Sequence, residues 1–282
     1  MSGHVDAHHH VWDLAVRDQP WVTGEAMAPI RRTFGVDDLA PHTRAAGVEA
    51  TVLVQTLPSV VDTRDLLATA ASYDLVAGVV GWVDLTAPTV AADLASLRET
   101  RGGDLLRGIR HLVQDEPDPQ WLCREDVRRG LAAVGEAGLR YDLLTTPAQL
   151  PAAVATVRAL PEVSFVLDHC SKPPIAAGES EPWASQVRAL ADSPNVVCKL
   201  SGLVTEAGRA RWTPSDLRPY VDVVLEAFGP QRLLFGSDWP VCLLASSYAR
   251  WFETACALLD GLSSDERDAV LGDAARRVYG LA

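Results

Sequence analysis

The sequence has little cysteine, and what it has suits neither disulfides nor zinc. Five cysteines stand at Cys123, Cys170, Cys198, Cys242 and Cys256, an odd and scattered set without a CxxC pair. That pattern excludes a disulfide framework and a zinc ribbon. Free thiols in a reducing, cytoplasmic setting are the expectation. No apolar run approaches ~18 residues, so no transmembrane helix is expected. The opening MSGHVDAHHHVWDL lacks the apolar stretch of a signal peptide. Positive charge is also short: 25 Lys plus Arg against 37 Asp plus Glu leave a formal charge of −12. A nucleic-acid binder or a protein drawn to anionic membranes would carry the opposite balance. Neither GxGxxG nor GxxxxGK[ST] follows any apolar run, so no nucleotide cofactor is expected. Low-complexity tracts, solenoid repeats and interdomain linkers are missing as well.

The 282 residues, 48% hydrophobic and 22% charged, have ordinary globular composition. Eight short apolar runs read as strands: 5–10, 50–55, 77–83, 105–111, 140–144, 164–169, 196–200 and 233–237. Several, such as TVLV and VVGWV, show little polar alternation. Strands buried on both faces of a parallel sheet look like this. Segments with helical spacing lie between them, at 36–46, 63–72, 90–99, 124–137, 147–160, 182–191, 214–227 and 246–260. Gly47 and Gly138 follow alanine as helix C-caps, and Thr146-Pro147 and Thr213-Pro214 read as N-caps with proline at the first helical position. Two further helical segments, 264–271 and 273–279, close the chain. The expected fold is α/β: one (β/α)8 TIM barrel spanning 1–282, with an extra C-terminal helical segment. An open doubly wound sheet is the alternative. Helix-to-strand connections are short and strand-to-helix connections long, which puts the elaboration on the C-terminal face of the strands, where barrel active sites sit.

The polar residues at those strand ends are few. His8 and His10 are two apart on a strand, so their rings share one side and offer two nitrogens to one cation. His9 points the other way and reads as structural, while His4 reads as solvated. His169 ends the run FVLDHC, either as an active-site imidazole or as a core histidine bonded to Asp168, which is expected on the opposite side as support. Asp238 follows a buried strand in LLFGSDWPV. A buried carboxylate needs a partner there: a metal, an imidazolium or a reacting water. Its alternative is an N-cap, for which Ser237 competes. Arg110, in GIRH, presents a planar fork of donors for substrate, with an ion pair to a barrel acid as the other reading. Gln55, His111 and Lys199 are further candidates for substrate contact, and Lys199 reads equally well as a partner of Asp142 or Asp168. Trp12, Trp121 and Trp239 offer either aromatic walls for a sugar-like ring or plain core packing.

Together these residues resemble the amidohydrolase superfamily, in particular its sugar-lactonase branch of L-fuconolactone, L-rhamnonolactone and related lactone hydrolases. The resemblance rests on DAHHHVWD, LRGIRHLVQDEPDPQWL, VLDHCSKPPI, VVCKLSGLVTEA and LLFGSDWPVC in that order, and runs to AARRVYGL at 274–281. It implies a (β/α)8 barrel in which His8, His10, His169 and Asp238 stand where the superfamily binds a divalent metal or its water. The strand-four end reads Ile109-Arg110-His111, without the lysine of binuclear relatives, and strand five ends in Tyr141-Asp142-Leu143, without a histidine. At most one metal is then expected, held by His8, His10 and Asp238 with His169, zinc before manganese. The implied activity is hydrolysis of a small sugar-acid lactone in carbohydrate metabolism, with Asp238 as general base and His169 beside the carbonyl. The alternative is a metal-dependent, non-oxidative decarboxylase of an aromatic or unsaturated acid. The expected partner is a small-molecule lactone, not nucleic acid or a membrane. The oligomeric state is open, a homodimer included.

Overall fold

In this computed structural model, residues 3–208 and 211–281 are described. Eight parallel strands run β1 (His4–His9), β2 (Val48–Val54), β3 (Val76–Gly81), β4 (Leu106–His111), β5 (Arg140–Leu143), β6 (Ser164–Leu167), β7 (Val196–Leu200) and β8 (Leu233–Phe235). Their spatial order is their chain order. Each neighbouring pair is parallel. This is a nearly closed (β/α)8 barrel. β8 is only three residues long, and the segment after it completes the wall. Asp238 N–H donates to the His8 carbonyl at 2.8 Å, and His10 N–H donates to the Trp239 carbonyl at 2.7 Å.

The helices are α1 (Val36–Ala45), α2 (Val60–Ala70), α3 (Val90–Arg98), α4 (Glu125–Glu136), α5 (Leu150–Ala159), α6 (Trp183–Ala191), α7 (Leu203–Glu206), α8 (Pro214–Phe228), α9 (Tyr248–Leu258), α10 (Ser264–Asp268) and α11 (Ala274–Tyr279). Their ends follow the sequence chemistry. Gly47 and Gly138 take φ of +67° and +71°. Thr146 and Thr213 form capping boxes with Gln149 and Asp216, which satisfy orphan N–H groups at the helix start. Among the α-helices one was not expected: α7 lies inside the connection 201–212, where four residues are too few for a periodic signal. Residues 209 and 210 of that connection fall outside the described set. Among the described residues no helix is long and apolar enough to cross a membrane.

Two apolar layers hold the structure. The outer one packs the helices on the sheet. The inner one fills the barrel with Val5, Ala7, Val52, Val54, Val80, Val166 and Leu234, and is capped by Ala274, Ala275, Tyr279 and Leu281 of the C-terminal segment. That segment therefore plugs the N-terminal end of the barrel, which leaves the other end for the site.

α4 approaches the chain after β3 so closely that a Cβ on Gly130 would lie 2.2 Å from the Leu85 carbonyl oxygen. The obstacle is backbone and cannot rotate away. Gly130→Ala is expected to destabilise by about 1–3 kcal/mol despite alanine's better helix propensity. Urea denaturation measures this, and a more stable variant would contradict the packing described.

Candidate active site

At the C-terminal end of the strands lies a cavity of about 470 Å³ lined by His10, Arg110, His169, Lys172, Glu206 and Asp238 among others. Its floor is built by β1 and the segment after β8. His8 Nε2 and His10 Nε2 face each other at 3.2 Å. Asp238 Oδ1 stands 3.4 Å from His10 Nε2 and 3.8 Å from the Nε2 atoms of both His8 and His169. The parity of β1 thus brings His8 and His10 to one side as expected. His9 turns the other way, bonding Thr51 Oγ1 at 2.9 Å. His4 is half-buried, with Nδ1 3.1 Å from the Ala46 carbonyl; the helix end above it keeps it out of bulk water.

Asp6, which drew no functional reading from the sequence, holds this floor together. Its Oδ1 accepts from the N–H of His8 at 3.1 Å and of Ser237 at 2.8 Å, and Tyr248 Oη lies 3.2 Å from its Oδ2. Burial pushes its carboxyl up to about 6. One side chain therefore sets the spacing between the segments that carry His8 and Asp238.

Asp238 has φ +55°, a left-handed conformation that costs a non-glycine residue about 1–2 kcal/mol. His169, Cys170, Ser171 and Lys172 all have φ between +51° and +58°. Such a left-handed run survives only where its surroundings over-determine it. Here Trp183 Nε1 donates to the Cys170 carbonyl at 2.7 Å, Ser171 Oγ pairs with Thr145 Oγ1 at 2.8 Å, and His169 Nδ1 sits 2.8 Å from Ser201 Oγ. Gly202 lies against this turn at φ +68°, and a Cβ there would come within 2.7 Å of the His169 ring.

Burial keeps the His8 and His169 imidazoles neutral. Burial lowers the His8 pKa well below its usual value and brings His169 down to about 4. Burial pushes the Asp238 carboxyl up, but His169, the contact with His10 and Lys172 outweigh it and hold it below the usual range. Neutral imidazoles beside an ionised carboxylate are what a metal ion requires. His10 Nδ1 donates to the Val54 carbonyl at 2.7 Å, so its Nε2 presents a lone pair to the floor. His8, His10 and Asp238 offer donor atoms within 4.8 Å of one another. This donor set fits one small divalent cation, although Arg110 Nη1, 3.3 Å from His8 Nε2, brings positive charge to the same nitrogen.

Beneath the floor is a buried ion-pair network. Asp168 Oδ2 accepts from Arg110 Nη1 at 2.9 Å, and Asp168 Oδ1 lies 3.0 Å from Lys199 Nζ and 3.4 Å from His8 Nδ1. Lys199 Nζ also donates to Asp142 Oδ2 at 2.5 Å, which is 2.8 Å from Tyr279 Oη. The expectation that Asp168 faces away from His169 is corrected. β6 stops at Leu167, and the left-handed turn beyond it sends both side chains toward His8.

Of the expected substrate contacts, Arg110 lines the cavity, but its guanidinium also binds Asp168, His8 and the Gln55 carbonyl. Gln55 donates Nε2 to the Arg110 carbonyl at 2.9 Å and is fully buried. Lys199 lies under the floor, fully buried between its two acids. His111 stacks on Trp121 with centroids 4.3 Å apart, and bonds Trp82 Nε1 and Glu116. Trp12 donates to the Arg32 carbonyl and packs on Trp21 and Phe34. None of these last four is in the cavity wall. Trp21, Met27, Lys172, Thr205 and Glu206 are, all on connections where periodicity gives no direction. Lysine within the quoted DHCSKPP motif was the available signal.

The family model described as amidohydrolase matches residues 5–281. Among curated relatives, an L-fucono-1,5-lactonase of Burkholderia ambifaria is 42% identical over 99% of this chain and 96% of its own length. A second L-fucono-1,5-lactonase, from Burkholderia multivorans, is 40% identical over 98% of this chain and 96% of its own. An amidohydrolase of Burkholderia multivorans solved with bound zinc superposes with a TM-score of 0.91 over the full length of both chains, at 40% identity.

Lys199 compensates two buried carboxylates. Removing one partner of a buried pair costs about 3–5 kcal/mol, and Lys199→Met is expected to lose that much in urea denaturation. Adding Asp142→Asn should restore part of it, and strict additivity of the two changes would count against the pairing.

Proposed function

The chain belongs to the amidohydrolase family, and from that premise we propose that it hydrolyses the ring ester of a sugar-acid lactone of the L-fucono-1,5-lactone type. The observation that carries the reading is the 42% identity to an L-fucono-1,5-lactonase over 99% of the chain. No comparable support stands behind the decarboxylase alternative. The cavity, about 470 Å³, lies in the ordinary range for a small-molecule site.

The chemistry follows from the floor. Lactone opening needs a proton taken from water, stabilisation of the carbonyl oxygen, and a proton for the ring oxygen. Asp238 is the general base: its carboxylate is ionised, faces the cavity and is held rigidly by its own backbone. It takes the water proton and returns it to the ring oxygen as that oxygen leaves as a hydroxyl. Arg110 faces the carbonyl and stabilises the oxyanion. It is oriented for this by Asp168 and the Gln55 carbonyl. His169 Nε2, 3.8 Å from Asp238 Oδ1, completes the pocket around the reacting carbon. His8, His10 and Asp238 would hold a divalent ion, zinc before manganese, with His169 beside it. When bound, such an ion supplies Lewis-acid stabilisation and a more acidic water. The reading places the enzyme in carbohydrate metabolism in the cytoplasm, acting on a small molecule.

Asp238→Asn is expected to lower kcat on L-fucono-1,5-lactone by about 10²–10⁴, followed with a pH indicator. Near-normal turnover in the folded variant would remove Asp238 from the base role. Zinc titration of chelator-treated protein should show one equivalent bound per chain by calorimetry, and His8→Ala or His10→Ala should abolish it. Full-affinity zinc binding by both variants would place the metal elsewhere.

A further inference from the structure

Among the described residues, three side chains bring positive charge near the cavity, and two of them are already engaged. Arg110 is bound by Asp168 and the Gln55 carbonyl, and Lys199 by Asp142 and Asp168. Lys172 is different. It lines the cavity and, among the described residues, has no carboxylate at ion-pair distance, although Glu206 shares the same wall. The sequence uses arginine for 23 of its 25 basic residues, and its two lysines are these two. Lysine brings what arginine cannot: a compact charge with three rotatable donors.

The backbone explains how Lys172 reaches the cavity. The left-handed turn over His169, Cys170, Ser171 and Lys172 is built from residues that disfavour it, and is pinned at each of its first three members. Its first and last residues both line the cavity. Opposite, Gly202 opens α7 and lets Thr205 and Glu206 enter the same wall. Away from the floor, the described residues of the cavity wall offer one cation, Lys172, against two carboxylates, Glu206 and Asp115. Acceptors in excess suit a neutral ring rich in hydroxyls. A carboxylated ring ester would need more cations.

Resting on the lactonase reading, we propose that Lys172 and Glu206 are the specificity pair that reads the hydroxyl groups of the lactone ring. Lys172 donates to a hydroxyl oxygen next to the reacting carbonyl, and Glu206 accepts a hydrogen bond from the neighbouring hydroxyl. Burial and the Asp238 carboxylate raise the Glu206 carboxyl, and Lys172 acts against that rise, so the two side chains sense one another across the wall. A site built around hydrogen bonds discriminates strongly against a ligand that leaves them unmade.

The test compares kcat/KM on L-fucono-1,5-lactone with kcat/KM on δ-valerolactone, the six-membered ring ester without hydroxyls. In Lys172→Met and Glu206→Gln the ratio of the two should fall at least ~tenfold, and Lys172→Arg should keep part of it. An unchanged ratio, or equal losses on both lactones, overturns the assignment. Wild-type protein that opens neither lactone overturns the lactonase reading and this pair with it. A second measurement reads the wild-type protein and uses a variant only to assign the signal. Reductive methylation with ¹³C-formaldehyde labels Lys172 and the N-terminal amine, since Lys199 is fully buried. The Lys172 signal, identified by its loss in Lys172→Arg, should shift on saturation with L-fuconate. A signal that stays fixed overturns the proposal.

Discussion

Asp168 is a carboxylate with no access to water, held between the guanidinium of Arg110, the ammonium of Lys199 and the imidazole of His8. An isolated charge in that position would be too costly to ionise. Burial does push its pKa up, but Lys199, His8 and Arg110 outweigh burial and hold it well below the usual carboxylate range. The site depends on this ionised group. It orients Arg110 at the cavity floor and faces the Nδ1 side of the His8 ring. Through Lys199 it is tied to Asp142, and through Asp142 to Tyr279 of the C-terminal plug. The helical segment that closes one end of the barrel is therefore connected by polar contacts to the chemistry at the other.

The barrel was legible because its strands are buried on both faces and its helices on one. Those two patterns have different periods, and proline, glycine and threonine mark the boundaries. The floor was legible for the same reason: the two-residue period of β1 places His8 and His10 together whatever the rest does. Legibility failed where the backbone left both periods. Asp168 and His169 should diverge on a continuing strand, but β6 ends at Leu167 and the next residues turn left-handed. Trp12 and Trp21 are nine positions apart on one connection, and nothing in their spacing says that only Trp21 reaches the cavity. Lys199 read equally as a cavity or a paired residue. Its two acids come from β5 and the end of β6, and only the three-dimensional order of strands shows that all three meet.

The left-handed conformations gather at the candidate site. Among non-glycine described residues, positive φ occurs at 169–172 and at Asp238. Each such residue stores strain that the surroundings must offset. The offset is visible in the bonds from Trp183, Thr145 and Ser201, and in the Asp6 carboxylate that grips the backbone at His8 and Ser237. Support of this kind holds the side chains of the candidate site in one geometry.

The charge arrangement also bears on how the floor would share one nitrogen between a cation and Arg110. His8, His10 and Asp238 form a donor set for a cation, yet Arg110 Nη1 stands 3.3 Å from His8 Nε2. A guanidinium and a divalent ion stabilise the same thing, negative charge developing on the carbonyl oxygen, and they compete for the same nitrogen lone pair. The deciding quantity is how far Asp168 restrains Arg110. Asp168 Oδ2 holds Arg110 Nη1 at 2.9 Å while its Oδ1 faces Lys199 Nζ at 3.0 Å, so one carboxylate orients the guanidinium beside His8 and divides its charge between two cations. Strengthening the hold of Lys199 on Asp142 would leave more of Asp168 for Arg110 and more of His8 Nε2 for a metal. The charge beside His8 is therefore shared beneath the floor, among Arg110, Asp168, Lys199 and Asp142.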